Sequence, residues 1–173
     1  MNYIDNKYRL EKELVCYKLL DELKIEYLAV DHPAANTIAD CAEVDRALGV
    51  SMCKNLFLCN TQKTSFYLLM LQGEKVFKTK DISKQLGVAR LSFAPAEYME
   101  QYLNILPGAV SVLGLINDRE NHVRLLIDRD ILAQEYVGCH PCVNTSSLKI
   151  SMNDLTEKFL PAVGHKYTEV IIA

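Results

Sequence analysis

Gly138-Cys139-His140-Pro141-Cys142-Val143-Asn144-Thr145 packs a rigid turn, an imidazole, two thiols and an amide into one short stretch. The architecture turns on it. If Cys139-His140-Pro141-Cys142 opened a helix, the helix dipole would lower a thiol pKa, as in thioredoxin-like dithiol sites. Cys142 instead leads into a loop and then an alternating run over Ser146 to Ser151, the pattern of a strand. The residues before Gly138 read as a strand too, so the stretch joins two strands. One reading makes Cys139 and Cys142 a redox or metal pair. The other makes Gly138, His140, Pro141 and Asn144 the rim of a small-substrate site. A single CxxC supplies two zinc ligands and needs a second pair. His122, His165, Cys53 and Cys59 are available, but at no recognised spacing.

Outward from this turn, the chain alternates helical and hairpin patterns without a regular βα rhythm. Leu10, Leu14, Tyr17, Leu20 and Leu23 recur at three and four, predicting a helix over 7–24. Residues 25–30 alternate as a strand, and His32-Pro33 ends it because Pro33 donates no ladder bond. Thr37 is placed to cap a helix running to Leu48, with Gly49 as its left-handed stop. Met52 to Cys59 is apolar apart from Lys54 and Asn55, as expected of a strand buried on both faces, and 65–71 returns after a turn. A short helix over 81–86 closes at Gly87, and Pro95 opens another through Leu103. Residues 109–116 and 122–127 read as strands around a loop. Asn153 or Asp154 is expected to cap a last helix through Val163, and 167–172 forms a final strand. The expected class is α+β, one domain over 1–173, with a mixed, mostly antiparallel sheet able to close on itself.

Composition narrows the function. The 173 residues are half apolar and carry a net charge of −3, which argues against a general nucleic-acid coat. From Lys75 to Arg90, five basic residues face one acid, a local +4 that is a solvated face or a phosphate contact. No apolar run is long enough for a membrane helix, and no export signal precedes the first helix, so a cytoplasmic protein with no membrane partner is expected. Six cysteines in a chain of this length are not a disulfide framework; Cys16, Cys41, Cys53 and Cys59 read as small buried hydrophobes. There is no GxSxG, GxGxxG or GxxxxGK[ST]. Lys54 stands out, since a lysine inside an apolar strand must snorkel or meet an anion.

Four segments in order carry a resemblance: Asp31-His32-Pro33-Ala34 with Thr37; Lys54-Asn55-Leu56-Phe57-Leu58; Pro107-Gly108-Ala109-Val110-Ser111 with Leu115-Ile116-Asn117-Asp118; and His140-Pro141 with Asn144-Thr145. Together they resemble the YbaK/ProX aminoacyl-tRNA editing family, and within it the freestanding prolyl-tRNA-synthetase-associated domains that deacylate Ala-tRNA(Pro). The resemblance implies a barrel-like mixed sheet ringed by helices and a hydrolase of aminoacyl esters that uses neither metal nor other cofactor. It implies tRNA(Pro) as partner, with prolyl-tRNA synthetase as a possible second. Lys54 matches the family's functional lysine, facing a phosphate or the 3′-terminal adenosine. His140 would orient water or the substrate amine. His32, Thr37, Asn55, Gly108, Ala109, Ser111, Gly138, Pro141, Asn144 and Thr145 would line the substrate site. Backbone amides near Gly108 to Ser111 and Gly138 would serve an oxyanion, and the tRNA's own ribose hydroxyl would help orient the water. The Lys-Asn pair favours alanine over cysteine as the amino acid cleared. An idle tRNA-binding module and a Cys139/Cys142 oxidoreductase are the rival readings. One departure from the family pattern is Val112, which stands where many members have the proline of Gly-x-x-x-Pro.

Overall fold

The computed structural model describes residues 7–34 and 38–173. Thr37, expected as a helix cap and substrate contact, lies outside them. Eight strands are present among the described residues: β1 (Tyr27–Asp31), β2 (Cys53–Asn60), β3 (Phe66–Gln72), β4 (Leu91–Phe93), β5 (Val123–Asp128), β6 (Tyr136–Cys139), β7 (Ser146–Ser151) and β8 (Tyr167–Val170). The helices are α1 (Glu11–Glu22), α2 (Ile38–Leu48), α3 (Thr79–Leu86), α4 (Ala96–Leu103) and α5 (Arg129–Leu132). A last helix is built from Met152–Asp154, a π segment Leu155–Phe159, and Leu160–Ala162. The class is α+β, and none of the described helices is long and apolar enough to cross a membrane.

The strands form two sheets rather than one closed barrel. A five-stranded sheet has the order β4-β2-β3-β5-β8, and a three-stranded one β1-β7-β6. The β2–β3 hairpin is antiparallel, with Lys54 opposite Leu71 and Phe57 opposite Leu68. β5 runs parallel to both β3 and β8. The smaller sheet is antiparallel throughout. Among the described residues, one isolated parallel bridge, Met52 to Gly138, joins the start of β2 to β6.

Alternation on the large sheet divides the core. Cys53, Phe57, Cys59, Phe66, Leu68 and Met70 face a core completed by Val137, Cys139, Leu148 and Ile150 of the small sheet and by α1 and the last helix. Leu58, Tyr67, Leu69 and Leu71 face the other way, onto Ile82 of α3, Leu91 and Val170. β3 is therefore buried on both faces, which is why it reads as an unbroken apolar run.

Several sequence expectations need correction. Residues 109–116 are not a strand: Val112–Asn117 is a 3-10 helix, capped by the Ser111 hydroxyl accepting from the Leu113 N–H at 3.2 Å. A short apolar run cannot be assigned from periodicity alone, and here Val112, Leu113, Gly114 and Leu115 are all buried. β5 accordingly has no antiparallel partner before it and pairs with β3 instead. The last helix is capped by Ser151, whose hydroxyl accepts from the Asp154 N–H at 2.9 Å, not by Asn153 or Asp154. The buried seam of α1 is Glu13, Cys16, Tyr17 and Leu20, turned away from Leu10, which is exposed. Burial of Glu13 is tolerated because Arg9 and the Tyr17 hydroxyl both bond it, and Arg9 also grips Asp31 at the end of β1. Cys41 is exposed rather than buried, while Cys16, Cys53 and Cys59 are buried as expected. In β2, burial on both faces holds for Phe57 to Cys59 but not for Lys54, which is exposed. Gly49 stops α2 at φ +66°, as its position predicts.

Candidate active site

The β6–β7 turn delivers His140, and the end of β1 delivers His32 beside it, with ring centroids 6.4 Å apart. Antiparallel pairing explains the meeting: Asp31 is opposite Ser146 in the small sheet, and the His32 N–H continues the ladder by donating to the Thr145 carbonyl at 3.0 Å. His140 Nδ1 lies 3.0 Å from the Ser146 carbonyl oxygen, and His32 Nδ1 lies 2.8 Å from the Pro33 carbonyl oxygen. A carbonyl only accepts, so both imidazoles carry their proton on Nδ1.

Ser147 then links the two rings. Its hydroxyl donates to His32 Nε2 at 2.8 Å and accepts a weaker, shared bond from His140 Nδ1 at 3.3 Å. Ser147 is fully buried, so the bridge is screened from water. His140 Nε2 is left with its lone pair and has no hydrogen bond among the described residues. Burial lowers the His140 pKa, partly opposed by its bond to Ser146, so the ring is neutral at pH 7. The result is one oriented, neutral imidazole, held by a carbonyl and a serine and presenting an acceptor nitrogen.

The other predicted residues fall in two groups. Near the histidines, Gly108 occupies φ +90° in the turn that follows Pro107, and a Cβ built on it would be 3.8 Å from Asn144 Nδ2. That turn and the β6–β7 turn therefore face each other. Asn144 is half-buried, Thr145 exposed, and Pro141 and Ala109 buried. Ser111 is wholly buried, and its hydroxyl is engaged as the 3-10 cap. Gly138 packs against Met52, at the bridge between the sheets.

The second group lies at the start of β2. Lys54 and Asn55 point to opposite faces by strand alternation, Asn55 sharing the face of Cys53 and Phe57. Lys54 is exposed and makes no hydrogen bond or ion pair among the described residues. The Asn55 amide nitrogen donates weakly to the Cys53 carbonyl at 3.3 Å, while its Oδ1 is buried with no partner. No hydrogen bond among the described residues ties Lys54 to His140; the Met52–Gly138 bridge joins the start of β2 to the strand that leads into His140.

Of the basic run, Lys75 is not free. It pairs with Asp128 and Asp130, both at 2.6 Å, and donates to the Ile172 carbonyl. Lys78, Lys80, Lys84 and Arg90 remain exposed on and beside α3. Two features escaped sequence reasoning. Ser147 has no motif around it; only its inward position in an alternating strand, next to another serine, could have singled it out. The second is a cleft of about 430 Å³ between the end of β1 and α2, lined by Val30, His32, Pro33, Ala34 and Val44 among others. Cys139 and Cys142 are buried behind the turn, and neither is paired with the other.

A family model for the aminoacyl-tRNA editing domain matches residues 32–158. The prolyl-tRNA editing protein ProX of Acetoanaerobium sticklandii is 31% identical over 159 residues, covering 92% of this chain and 96% of its own. Prolyl-tRNA synthetase associated domain-containing protein 1 of Xenopus laevis is 29% identical over 160 residues, covering 90% and 93%. The solved structure of a candidate trans-editing enzyme for prolyl tRNA synthetase superposes with a TM-score of 0.69 at 15% identity, covering 95% of this chain and 99% of that one, a likeness of fold. The matched span takes in His32, the start of β2 and the β6–β7 turn, and the chain belongs to the aminoacyl-tRNA editing domain family.

Proposed function

We propose that this protein is a trans-editing deacylase that hydrolyses the ester of Ala-tRNA(Pro), in the cytoplasm where the tRNA is charged. Family membership supplies the reaction class, hydrolysis of an aminoacyl ester. The similarity to a ProX protein and to prolyl-tRNA-synthetase-associated proteins supports tRNA(Pro) as the carrier. A pocket that binds proline cannot strongly exclude a smaller side chain, so a second hydrolytic site is the usual remedy.

The observation that carries the mechanism is the neutral His140, fixed on Nδ1 by Ser146 and Ser147 with Nε2 open. An aminoacyl ester is already reactive, so positioning a water and stabilising the oxyanion supply most of what is needed. His140 Nε2 accepts from the attacking water or from the substrate amine. Backbone amides in the Gly108 turn and near Gly138 serve the oxyanion. Asn55 Oδ1, a buried acceptor without a donor, suits the substrate's ammonium, since an unmade buried hydrogen bond costs free energy. Exposed, unpaired Lys54 takes a phosphate of the acceptor end. Lys78, Lys80, Lys84 and Arg90 are available to more distant phosphates.

Single-turnover deacylation of Ala-tRNA(Pro), Cys-tRNA(Pro) and Pro-tRNA(Pro), with wild type and Lys54→Ala, tests the proposal. Rapid loss of alanine, slowed by Lys54→Ala and with proline spared, is expected. Faster release of cysteine would replace the substrate, and no release from any of the three would overturn the activity.

A further inference from the structure

The reaction above uses none of the cysteines, yet two of them lie together beneath its site. Cys142 Sγ is 3.6 Å from Cys16 Sγ, and both residues are about 1% exposed. The close partner of Cys142 is thus on α1, not its CxxC neighbour Cys139. The backbone differs at the two thiols: Cys139 ends β6 pointing into the core, and three residues on Cys142 takes φ +61°, where its sulfur meets Cys16 of α1. A disulfide needs sulfurs at about 2.05 Å, an approach of about 1.5 Å from where they stand.

We propose that Cys16 and Cys142 are a disulfide site, closed by a peroxide-class oxidant and locking α1 to the turn that carries His140. With hydrogen peroxide the electrons balance in two steps. One thiolate attacks the peroxide O–O bond, giving a sulfenic acid and, after protonation, one water. The second thiol displaces the sulfenic oxygen as another water, so two thiols and one peroxide yield one disulfide and two waters. The mutual Cys16–Cys142 contact and, after it, burial hold the Cys16 thiol far above its ordinary pKa, so the first step waits on a local opening of the turn.

The bond would be felt at the site because α1 already supports the same turn one residue on. The Tyr17 hydroxyl is 2.8 Å from Ser146 Oγ, and the Ser146 carbonyl holds the His140 ring. Drawing Cys142 towards Cys16 moves a segment pinned at both ends, and displacement of about 1 Å can cost about 100-fold in rate.

The test treats the reduced protein with hydrogen peroxide, blocks remaining thiols with N-ethylmaleimide and maps linkages by mass spectrometry of a non-reducing digest. A Cys16–Cys142 peptide is expected, with single-turnover deacylation slowed at least tenfold and restored by dithiothreitol. Cys16→Ala and Cys16→Ser should both be immune to peroxide; the wild-type map needs no substitution and stands if either variant fails to fold. Exposed Cys41 is the internal control. Oxidation of Cys41 with Cys16 and Cys142 still alkylated as thiols would overturn the site, as would a Cys139–Cys142 linkage. Full Cys16–Cys142 linkage at an unchanged rate would overturn its coupling to catalysis. The rate effect rests on the deacylase proposal, whereas the linkage map does not, so the two fail separately.

Discussion

Gly138→Ala tests the joint between the two sheets. A Cβ at this position would sit 2.8 Å from Met52 Sδ, 3.1 Å from Met52 Cα and 3.2 Å from the Ser51 carbonyl oxygen. The methionine sulfur ends a flexible side chain and can swing away. The other two atoms are backbone, so relief requires strand separation of a few tenths of an ångström at the Met52–Gly138 bridge. Overpacking of this kind costs about 1–3 kcal/mol. The unfolded chain also loses freedom, which returns roughly 0.4–1 kcal/mol. The net loss is about 1–2 kcal/mol, or a fall in Tm of about 2–8 °C for a chain of this size. Urea unfolding and calorimetry measure it. Deacylation by the folded variant should fall as well, because the bridge joins the strand that carries Asn55 to the one that leads into His140. Gly87→Ala is the control: φ is +65° there and nothing lies within 4 Å, so it should lose about 1–2 kcal/mol through backbone strain and leave the rate intact. If Gly138→Ala unfolds within about 0.5 kcal/mol of wild type and deacylates at the same rate, the joint is not tight and does not position the site.

Two further predictions concern the imidazole pair. Ser147→Ala removes the hydroxyl between the rings and leaves His32 Nε2 without its donor, costing about 1–3 kcal/mol of stability. The same change should lower kcat more than it raises KM, and an unchanged kcat would show the bridge to be irrelevant to catalysis. The His140 ring should titrate by NMR below the ordinary value of about 6.5, because burial disfavours its charged form. The unfolded chain then binds the proton at higher pH than the folded one. This group's contribution to stability is therefore present above about pH 6.5 and lost as pH falls through the lower folded midpoint. Deacylation that depends on neutral His140 should persist below pH 6.5 and fail at the same midpoint. A midpoint at or above 6.5 would show that burial does not govern this ring.

Much of the fold was legible because its signals were local. Gly49 and Gly87 mark helix ends, and the Asn60 to Thr64 turn between two apolar runs marks the β2–β3 hairpin. What escaped was set by distant contacts. The 3-10 segment at Val112–Asn117 depends on all-round burial, and the parallel pairing of β5 with β3 has no imprint on either strand. Of the candidate site, His32, His140 and Asn144 were singled out through the motifs that hold them, and the structure brings the two histidine rings within 6.4 Å. Ser147 was not, because its role exists only once β1 and β7 pair. Lys54 was singled out by its charge in an apolar run, and the structure gives it an exposed position at the start of β2. Cys16 read correctly as buried, but its nearness to Cys142 could not be seen in either segment alone.

The pairing of β1 with β7 also sets when the protein can begin to work. Synthesis runs from the N-terminus, so Tyr27–Asp31 leaves the ribosome long before Ser146–Ser151 exists to receive it. In that interval β2, β3 and β4 can already associate, whereas His32 has neither Ser147 nor His140 beside it. Contacts between such distant segments form late and fold slowly. The nascent chain can thus pair β2 with β3 and β4 before it carries a site, and the two histidines are brought together only once β7 has emerged.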